Sequence, residues 1–597
     1  MSLILSRRDQ DFVLYEWLDV ESLTGRPLYA HHDKQTFDAI LDMSEKMATD
    51  LFANHFKLSD QNEPHFDGDV VHIIPEEKIA TDALFASGLP AASQTSNVGG
   101  MHLPITVEQA AFAWFNAANG PTSGYAFLTK AAANLLLEHG SPEQVERYAR
   151  PMLQGRFFGT MCLSEPDTGS SLSDIRTRAE PQPDGTYRLF GNKMWISGGE
   201  HPLSETIIHL VLAKVPGGPP GVKGISLFIV PRDFVNEDGS VGERNDVALA
   251  GLNHKMGNRG TTNTLLNFGE GAKAKPGGKA GAVGYLVGQL HNGLAGMFTM
   301  MNEARISVGT GAACLGYTGY LQSLEYARTR LQGRPPHEKD PTTPQVPLVR
   351  HADIRRMLLA QKAYAEGAMA LNLYAAKILD EARSSEDEAE RADLLALLDL
   401  LTPICKSWPS QFCLEGNSLA IQVHGGYGYT RDFNVEQLYR DNRLNPIHEG
   451  THGIQSIDLL GRKVVAGRGR SMKLLQERMN ATCAKAQKSP ALKSYAQTLT
   501  SLFDRVTEVT NIIHAEANAE KRLANSAAYL EAFGHMVIAW IWLDKLCVAE
   551  GKTGSFYDGK RAAARYFFTW EVPKTGPQLD LLASLDTTLL DLDPASL

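Results

Sequence analysis

The pattern of apolar residues changes twice along the sequence, and these changes limit the folds that the chain can adopt. Residues 1–155 carry apolar side chains at helical spacing, whereas residues 156–285 form short runs rich in β-branched and aromatic residues between Gly and Pro. Helical spacing returns at residues 286–466, and a Gly-Arg-Gly-Arg stretch then precedes a last helical region at residues 467–597. We predict an α+β, mainly helical chain with an N-terminal helical bundle, a middle antiparallel β-barrel-like domain, a second helical bundle and an extra C-terminal helical domain.

Composition narrows the class of protein further. The 597 residues exceed what one hydrophobic core organises, and a net charge of −10 without a long basic run argues against nucleic acid as a partner. The six Cys form no CxxC pair and the 18 His show no metal-ligand spacing, so we expect reduced thiols and no metal site. The N-terminus lacks a long apolar segment and no stretch looks like a membrane span, so a cytoplasmic protein is expected.

The run of residues 448–462 points to acid–base chemistry. It places a carboxylate, Glu449, beside Gly450 and just before a helix with apolar periodicity. Gly450 allows a ligand to approach the backbone closely because it has no Cβ. The helix start adds backbone N–H groups that suit an anionic or developing-anionic oxygen. This arrangement suits removal of a proton next to a carbonyl, although a Glu near a helix start is often only a partner of the helix dipole.

Three further segments could line a cofactor. Residues 161–171 form a strand that runs into a Pro/Gly turn with hydroxyl side chains, and residues 191–199 put an indole and a hydroxyl on one strand. The paired glycines of residues 422–429 would let backbone amides approach a diphosphate or a ring. Each segment alone is better explained as a hairpin or loop with satisfied polar side chains.

Together and in this order, the motifs resemble the acyl-CoA dehydrogenase flavoprotein family over residues 103–463. The long C-terminal region is similar to that of the larger bacterial members. The resemblance implies FAD between the β domain and the second bundle, and α,β-dehydrogenation of an acyl-CoA thioester to trans-2-enoyl-CoA, as in fatty acid β-oxidation. It also implies hydride transfer to flavin N5, an electron-transfer flavoprotein as electron acceptor, and a homo-oligomer (dimer or tetramer).

The resemblance assigns site residues one by one. Contacts to FAD are implied for Leu163, Ser164, Ser170, Trp195, Ser197, Arg330, Gln422, Gly425, Gly426 and Thr451. Contacts to acyl-CoA are implied for Ser170, Asn302, Arg305 and Gly450. Arg330 and the loop at 422–428 are implied to reach the FAD of a neighbouring subunit, so a yellow protein that is at least dimeric is expected.

Glu449 is the predicted general base. Some members of the family carry the base directly before the arginine that corresponds to Arg305, but this chain has Ala304 there. Glu303 is one residue away, about 100° round a helix, and is interpreted as a solvated or paired carboxylate. His448 precedes the predicted base and is assigned a packing or hydrogen-bonding role.

Two alternatives remain open within this fold. An acyl-CoA oxidase would pass its electrons to O₂, and the sequence does not separate it from a dehydrogenase. A DNA-binding flavoprotein is disfavoured, because residues 471–597 contain 14 Lys and Arg against 14 Asp and Glu. The aromatic side chains of that region instead favour a structural part that packs on the core.

No motif encodes the length of the acyl chain, which depends on the depth of the pocket between helices. A medium to long straight-chain acyl-CoA is the first expectation. A short thioether acyl-CoA is the second, because of the resemblance to the larger bacterial members.

Overall fold

A computed structural model describes residues 2–597, with the side chains of all of these except residues 295 and 298–302. The chain divides into two compact units that are each built from discontinuous segments. The helical unit contains the residues up to Asp38, Pro104–Ala117 and Arg305–Leu597, and the β unit contains Ala39–Leu103 and Ala118–Ala304. The linear domain boundaries predicted from the sequence remain a prediction.

One large sheet organises the described part of the β unit. Its strands are β1 Phe157–Cys162, β2 Arg178–Pro181, β3 Tyr187–Ser197, β4 Thr206–Lys214, β5 Ile225–Pro231, β6 Val247–Leu252, β7 Asn263–Phe268 and β8 Ala282–Val287. They follow in the order β6-β7-β3-β8-β5-β4-β1, and β2 pairs with both β3 and β4. This double pairing of β2 closes part of the sheet into a ring, which confirms the β-barrel-like architecture.

The sheet is antiparallel except around β4. Strand β1 runs parallel to β4, with Phe157 opposite Thr206, and β2 touches β4 in parallel at a single position. The chain passes through a long loop, β2 and β3 before it enters β4, and a crossover of that length is what a parallel pair requires. Strands β4 and β5 are buried along nearly their whole length, which explains their continuous apolar sequences.

Several helices precede the sheet along the chain. In the N-terminal region they include Lys34–Met47, Phe56–Gln61 and Pro75–Ala86. The long helix α1, Ile105–His139, is broken at Asn119, where φ is −161° and ψ is 84°. The boundary between the two units falls just before this break, between Ala117 and Ala118.

The helices after the sheet carry most of the helical unit. The longer ones are α2 Gly293–Thr329, α3 Ala352–Ser384, α4 Glu388–His424, α5 Val435–Asn442, α6 His452–Asp458, α7 Ala466–Ala486, α8 Lys493–Ala515, α9 Ser526–Ala549, α10 Ser555–Tyr566 and α11 Thr575–Ala583. Helices α3 and α4 form a long hairpin, which Asp387 closes by capping the start of α4. Helix α4 contains Pro403 and Pro409, and Lys406, which lies between them, contacts the segment that joins α5 to α6.

The C-terminal region packs on this hairpin, as predicted. Trp542 of α9 is fully buried and donates its indole N–H to the Ala363 carbonyl of α3 over 3.2 Å. The ring of His535 lies edge-on to that of Trp408 in α4, with 5.9 Å between centroids. Helix α9 is therefore a core helix of the unit.

Helix α9 also corrects one expectation from the sequence. By length and composition alone it could cross a membrane, with a mean hydropathy of 1.4, although no such stretch was expected. Of that apolar window, 83% is buried inside the protein. Burial against α3 and α4 explains its composition.

Candidate active site

The predicted base Glu449 lies in the turn between α5 and α6. Its φ is 53° and that of Gly450 is 88°, so both residues are in the left-handed region. This conformation is unfavourable for Glu, and strained residues of this kind concentrate at functional sites. A Cβ built on Gly450 would lie 2.6 Å from Nε2 of Gln455, which donates to the Glu449 carbonyl over 3.1 Å. The left-handed conformation therefore favours glycine at this position, and a Cβ there would displace the Gln455 amide.

A buried lysine of α4, Lys406, supports this turn through hydrogen bonds. Its side chain has no exposed surface. The ammonium donates to the carbonyl oxygens of Asn445 and Gly450, over 2.7 Å in each case. These two acceptors stand on either side of Glu449, so one side chain fixes both ends of the turn.

Charges around Glu449 determine its proton affinity. Burial raises the pKa of Glu449 above its ordinary value, while the positive charges of Lys406 and Arg305 act in the opposite direction. Arg305 forms a buried ion pair with Asp458, 2.8 Å between Nη1 and Oδ2. Burial lowers the pKa of Lys406 to about 8, and Arg305 lowers it too, whereas Glu449 raises it. A carboxylate with a raised pKa is suited to general-base work near neutral pH.

A chain of buried asparagine side chains supports the same turn. Asn417 donates to the Leu315 carbonyl over 2.9 Å and accepts from Asn442 over 2.7 Å. Asn442 in turn accepts from Asn445 over 2.8 Å. His448 lies 2.9 Å from Oδ1 of Asn445, a contact that agrees with the packing or hydrogen-bonding role predicted for it. Burial lowers the pKa of His448 to about 3, so the ring is neutral.

The other residues predicted near the base have visible local partners. Thr451 caps α6, with its hydroxyl accepting from the Ile454 N–H over 3.3 Å. The guanidinium of Arg305 is engaged by Asp458, although its Nε is buried without a hydrogen-bond partner in the described part of the chain. The side chain of Asn302 lies outside the described residues. The predicted contacts of these residues with FAD or acyl-CoA remain predictions.

Glu303, the alternative base, lies in the β unit rather than in the helical unit that contains Glu449. Its carboxylate accepts a hydrogen bond from Nδ2 of Asn134 on α1, over 3.1 Å. This contact agrees with the interpretation of Glu303 as a paired helix carboxylate.

A second group of predicted residues lies together on the surface of the helical unit. Arg330 follows α2, and its exposed guanidinium donates to its own neighbours, to the Leu331 carbonyl over 3.1 Å and to Gln332 over 3.4 Å. Gln422, Gly425 and Gly426 are exposed at the end of α4. The two places meet because Tyr326 of α2 stacks on His424, 4.3 Å between ring centroids.

This surface has the properties of a phosphate-binding or ring-binding loop. Gly425 has a φ of 62°, and a Cβ built on it or on Gly426 would meet no described atom within 4 Å. Tyr427 and Tyr429 are 55% and 90% exposed. Open backbone, a guanidinium and uncovered aromatic rings in one place leave room for a large ligand or for another chain.

In the β unit, a buried ion pair shapes the loop that contains Leu163, Ser164 and Ser170. Lys193 of β3 lies 3.0 Å from Glu165 and also donates to the Leu163 carbonyl over 2.9 Å. The Met194 N–H donates to the Ser164 carbonyl over 3.0 Å. Burial opposes the ionised form of Glu165, but the charge of Lys193 and hydrogen bonds from Thr177 hold the pKa of this carboxyl below its usual value. Ser164 is half-buried and Ser170 is exposed.

Trp195 stands on a bulge of β3. The register with β7 shifts between Thr264 and Leu266, and Trp195 there adopts a φ of 65°. Its indole is 59% exposed. Ser197, two residues further on, accepts from Nδ2 of Asn263 over 3.2 Å. A strained backbone that presents a large uncovered ring favours a ligand that covers it.

Sequence reasoning missed the two lysines that hold these loops. Lys406 lies between two prolines in an apolar stretch, and Lys193 lies in a strand two residues before Trp195. A lysine inside an apolar run is itself the signal, because a buried ammonium needs specific acceptors. The asparagine chain left no comparable signal, because its members are scattered over three elements.

Three family models match the chain. "Acyl-CoA dehydrogenase, middle domain" matches residues 160–269, "Acyl-CoA dehydrogenase, C-terminal domain" matches residues 291–464, and "Acetyl-CoA dehydrogenase C-terminal like" matches residues 475–593. The first two contain most of the loops and turns described above. The third covers most of the C-terminal helices.

Curated relatives match over almost their full length. The chain is 34% identical to the 3-methylmercaptopropionyl-CoA dehydrogenase of Ruegeria pomeroyi, with 93% of each chain covered. It is 32% identical to the broad-specificity linear acyl-CoA dehydrogenase of Mycobacterium tuberculosis, over 99% of this chain and 98% of that protein. A butyryl-CoA dehydrogenase of Syntrophomonas wolfei is also 32% identical, over 98% and 97%.

Solved structures share the fold. The Caenorhabditis elegans protein ACDH-11 in complex with C11-CoA superposes with a TM-score of 0.73 at 17% identity, over 95% of this chain and 91% of that one. The acyl-CoA dehydrogenase of Bacillus anthracis complexed with FAD gives a TM-score of 0.72 at 18% identity, over 94% and 89%. With the curated relatives, these comparisons establish that the chain belongs to the acyl-CoA dehydrogenase family, oxidoreductases that act on a CH–CH bond of an acyl-CoA.

Proposed function

We propose that the protein is an FAD-dependent dehydrogenase of linear acyl-CoA thioesters in which Glu449 is the general base. Glu449 removes the proton from the α-carbon, the β-hydrogen leaves as hydride, and a trans-2-enoyl-CoA results. The observation that carries this proposal is the half-buried carboxylate of Glu449, held in a left-handed turn with its pKa raised by burial. A carboxylate of this kind accepts a proton near neutral pH.

The turn also supplies a donor for the thioester oxygen. In the described part of the chain, the backbone N–H of Glu449 makes no hydrogen bond to another protein group. An N–H that is fixed beside the base can stabilise negative charge as it develops on the carbonyl oxygen during α-proton removal. Proton acceptor and oxyanion donor then belong to one residue, so the turn sets both.

Each unit, taken by itself, offers residues that fit FAD. In the β unit, Trp195 presents an uncovered indole beside a loop with hydroxyl side chains. In the helical unit, the exposed guanidinium of Arg330 and the open backbone at Gly425 suit a diphosphate. FAD, when bound, supplies the acceptor for the hydride, and the protein supplies orientation and exclusion of water.

A homo-oligomer, dimer or tetramer, is part of the proposal. Arg330, Gln422 and Tyr429 are exposed on one surface of the helical unit and have few partners within their own chain. A second copy that brings its FAD to this surface would cover them. Cofactor retention and assembly would then be linked by mass action.

The relatives guide the choice of substrate. Their names refer to a short thioether acyl-CoA, to linear acyl-CoAs of broad range and to butyryl-CoA. We propose an unbranched acyl chain, a role in fatty acid β-oxidation and an electron-transfer flavoprotein as acceptor. A cytoplasmic location agrees with the six cysteines, all of which are free thiols.

The proposal is tested with the purified protein and a series of unbranched acyl-CoAs from butyryl to palmitoyl, together with 3-methylmercaptopropionyl-CoA. We expect a yellow protein whose flavin absorbance bleaches under anaerobic conditions with at least one of these substrates. Turnover should require an added electron acceptor. Peroxide formation in air at the same rate would instead indicate an acyl-CoA oxidase, and a colourless protein that takes up no added FAD would contradict the proposal.

A further inference from the structure

Lys406 is a buried cation without a carboxylate in contact. It has no exposed surface, and none of the carboxylates in the described part of the chain lies within 4.0 Å of its ammonium. Two of its three N–H groups go to backbone carbonyls instead. A buried ammonium held only by neutral acceptors is costly, so a compensating charge or a function is expected nearby.

The two acceptors define what Lys406 holds. Asn445 and Gly450 bracket a short segment that ends in Glu449, and each carbonyl lies 2.7 Å from the ammonium. Within this segment the backbone of Glu449 is left-handed, at a φ of 53°. Such a conformation persists only where the surroundings over-determine it. Lys406 provides two of the contacts that do so.

The charges show why this clamp is a lysine. Two cations act on Glu449, namely Lys406 and Arg305. Arg305 has its own carboxylate in Asp458, at 2.8 Å. Lys406 has none, and the carboxylate that interacts with its charge is that of Glu449 itself. The lysine and the base therefore compensate each other.

We propose that Lys406 is a positioning residue for the catalytic carboxylate, which it aims through the two carbonyls and returns to the ionised form after each turnover. This inference rests on the proposed function of Glu449. When the α-proton moves from the substrate carbon to the Glu449 carboxylate, that residue becomes neutral and Lys406 loses its compensating charge. The ammonium then favours release of this proton to solvent, which restores the base.

The first test compares Lys406→Gln with Lys406→Arg by the pH dependence of kcat/KM, using an artificial electron acceptor. Gln keeps donor groups for the carbonyls but removes the charge, whereas Arg keeps the charge. We expect Lys406→Gln to lower kcat/KM by about 10²-fold, as for a misplaced catalytic group. The acidic limb of the pH dependence of kcat/KM should move to higher pH in Lys406→Gln, because the pKa of Glu449 rises when a neighbouring positive charge is lost. The acidic limb of Lys406→Arg should stay where the wild-type limb lies.

Lys545→Gln is the matched control. Lys545 is also fully buried and also donates to a backbone carbonyl, that of Glu366, over 3.2 Å. Its loss should leave the acidic limb unmoved. If Lys406→Gln lowers kcat/KM without moving the acidic limb of its pH dependence, Lys406 is only a structural residue and the inference is overturned. Full activity of Lys406→Gln would overturn it as well.

A second test does not depend on turnover. Lys406→Gln, Glu449→Gln and the double variant form a cycle in which the free energy of unfolding is measured. We expect Lys406→Gln to destabilise the protein more when Glu449 is present than in the Glu449→Gln background, because only then is an uncompensated carboxylate left. If Lys406→Gln alone is insoluble, a soluble double variant would support the inference in the same way. Additive effects, or equal insolubility of both, would overturn the inference.

Failure of the proposed function would be recognised separately. If Glu449→Gln still oxidises acyl-CoA, the base assignment is wrong, whatever the Lys406 variants do. Exchange of the α-hydrogen with D₂O, measured by mass spectrometry on an acyl-CoA with sulfur in place of the β-carbon, isolates proton removal from hydride transfer. Lys406→Gln should slow this exchange with the same displaced pH dependence, if Glu449 is the base.

Discussion

The ammonium of Lys406 donates to the carbonyl of Gly450 over 2.7 Å, and this contact joins helix α4 to the turn that presents Glu449. The β unit contains a similar device. There Lys193 donates to the Leu163 carbonyl over 2.9 Å and fixes the loop that includes Ser164. In both places a buried lysine holds a backbone segment whose side chains are predicted to touch ligand. Of the two segments, the turn at Glu449 has a left-handed backbone, and the contact from Lys406 on helix α4 supports it.

Trp195 provides a test of the flavin site that separates binding from stability. Trp195→Gly relieves the left-handed strain at φ 65° but removes the exposed indole. We expect the stability of the apoprotein to change by less than about 1 kcal/mol. FAD binding should weaken about tenfold, which corresponds to loss of one aromatic contact. Fluorescence titration of the apoprotein with FAD measures this, and Trp570→Ala, 54% exposed in the C-terminal region, is the control. Equal effects in both variants would contradict a flavin contact of Trp195.

Arg330 tests the link between FAD and assembly. Its guanidinium contacts only adjacent residues of its own chain among those described, so Arg330→Gln should leave thermal stability of the apoprotein within about 0.5 kcal/mol of wild type. Loss of a charge-assisted contact to a diphosphate should weaken FAD retention about tenfold or more. The flavin absorbance that remains after dialysis, read together with gel filtration, reports both properties. Arg328→Gln, two residues earlier and equally exposed, should retain its FAD; loss of FAD from both variants would make the effect nonspecific.

The C-terminal region is tied to the rest of the helical unit by a buried ionic cluster. Lys560 of α10 pairs with Asp9 and lies 2.7 Å from Glu366 of α3. Lys560→Met would leave both carboxylates without this partner and should lower stability by about 3–5 kcal/mol. Lys552→Met, which breaks a partly exposed pair with Glu16, should cost at most about 1 kcal/mol. Urea unfolding of the two variants measures the difference, and similar losses would show that the cluster is not a structural anchor.

The same cluster predicts a response to acid. Burial alone would raise the pKa of Asp9, but the charges of Lys560, Lys545 and Lys362 outweigh it and hold this pKa at about 2, below the ordinary 3.8. Because the pKa is depressed in the folded state, Asp9 contributes stability that is complete above about pH 4 and disappears as the pH falls towards 2. Wild-type protein should therefore lose thermal stability more steeply than Asp9→Asn over this range. If calorimetry shows the same pH dependence of thermal stability for wild type and Asp9→Asn, the ion pair of Asp9 is contradicted.

The sequence predicted those features that depend on residues close together along the chain. Short runs of β-branched and aromatic residues between Gly and Pro predicted the strands, and Gly450 beside Glu449 predicted a tight segment just before a helix. The packing or hydrogen-bonding role predicted for His448 is confirmed by its contact with Asn445. These features depend on residues that are neighbours along the chain.

Features that depend on distant partners could not be predicted. Lys406 acts on carbonyls 39 and 44 residues away, and a backbone carbonyl has no sequence signature. The parallel pairing of β1 with β4 is likewise decided by the path of the intervening chain. Helix α9 is apolar on all sides, and only its neighbours show that it is a core helix.

The role of Glu449 is tested most directly by anaerobic bleaching of the flavin when each of two variants is mixed with acyl-CoA. Glu449→Gln should retain FAD and bind substrate but bleach at least about 10²–10⁴-fold more slowly than wild type, because the proton acceptor is gone. Glu303→Gln, which affects the carboxylate paired with Asn134, should bleach at nearly the wild-type rate. Rapid bleaching by Glu449→Gln together with none by Glu303→Gln would transfer the role of the base to Glu303 and contradict the mechanism proposed for this protein.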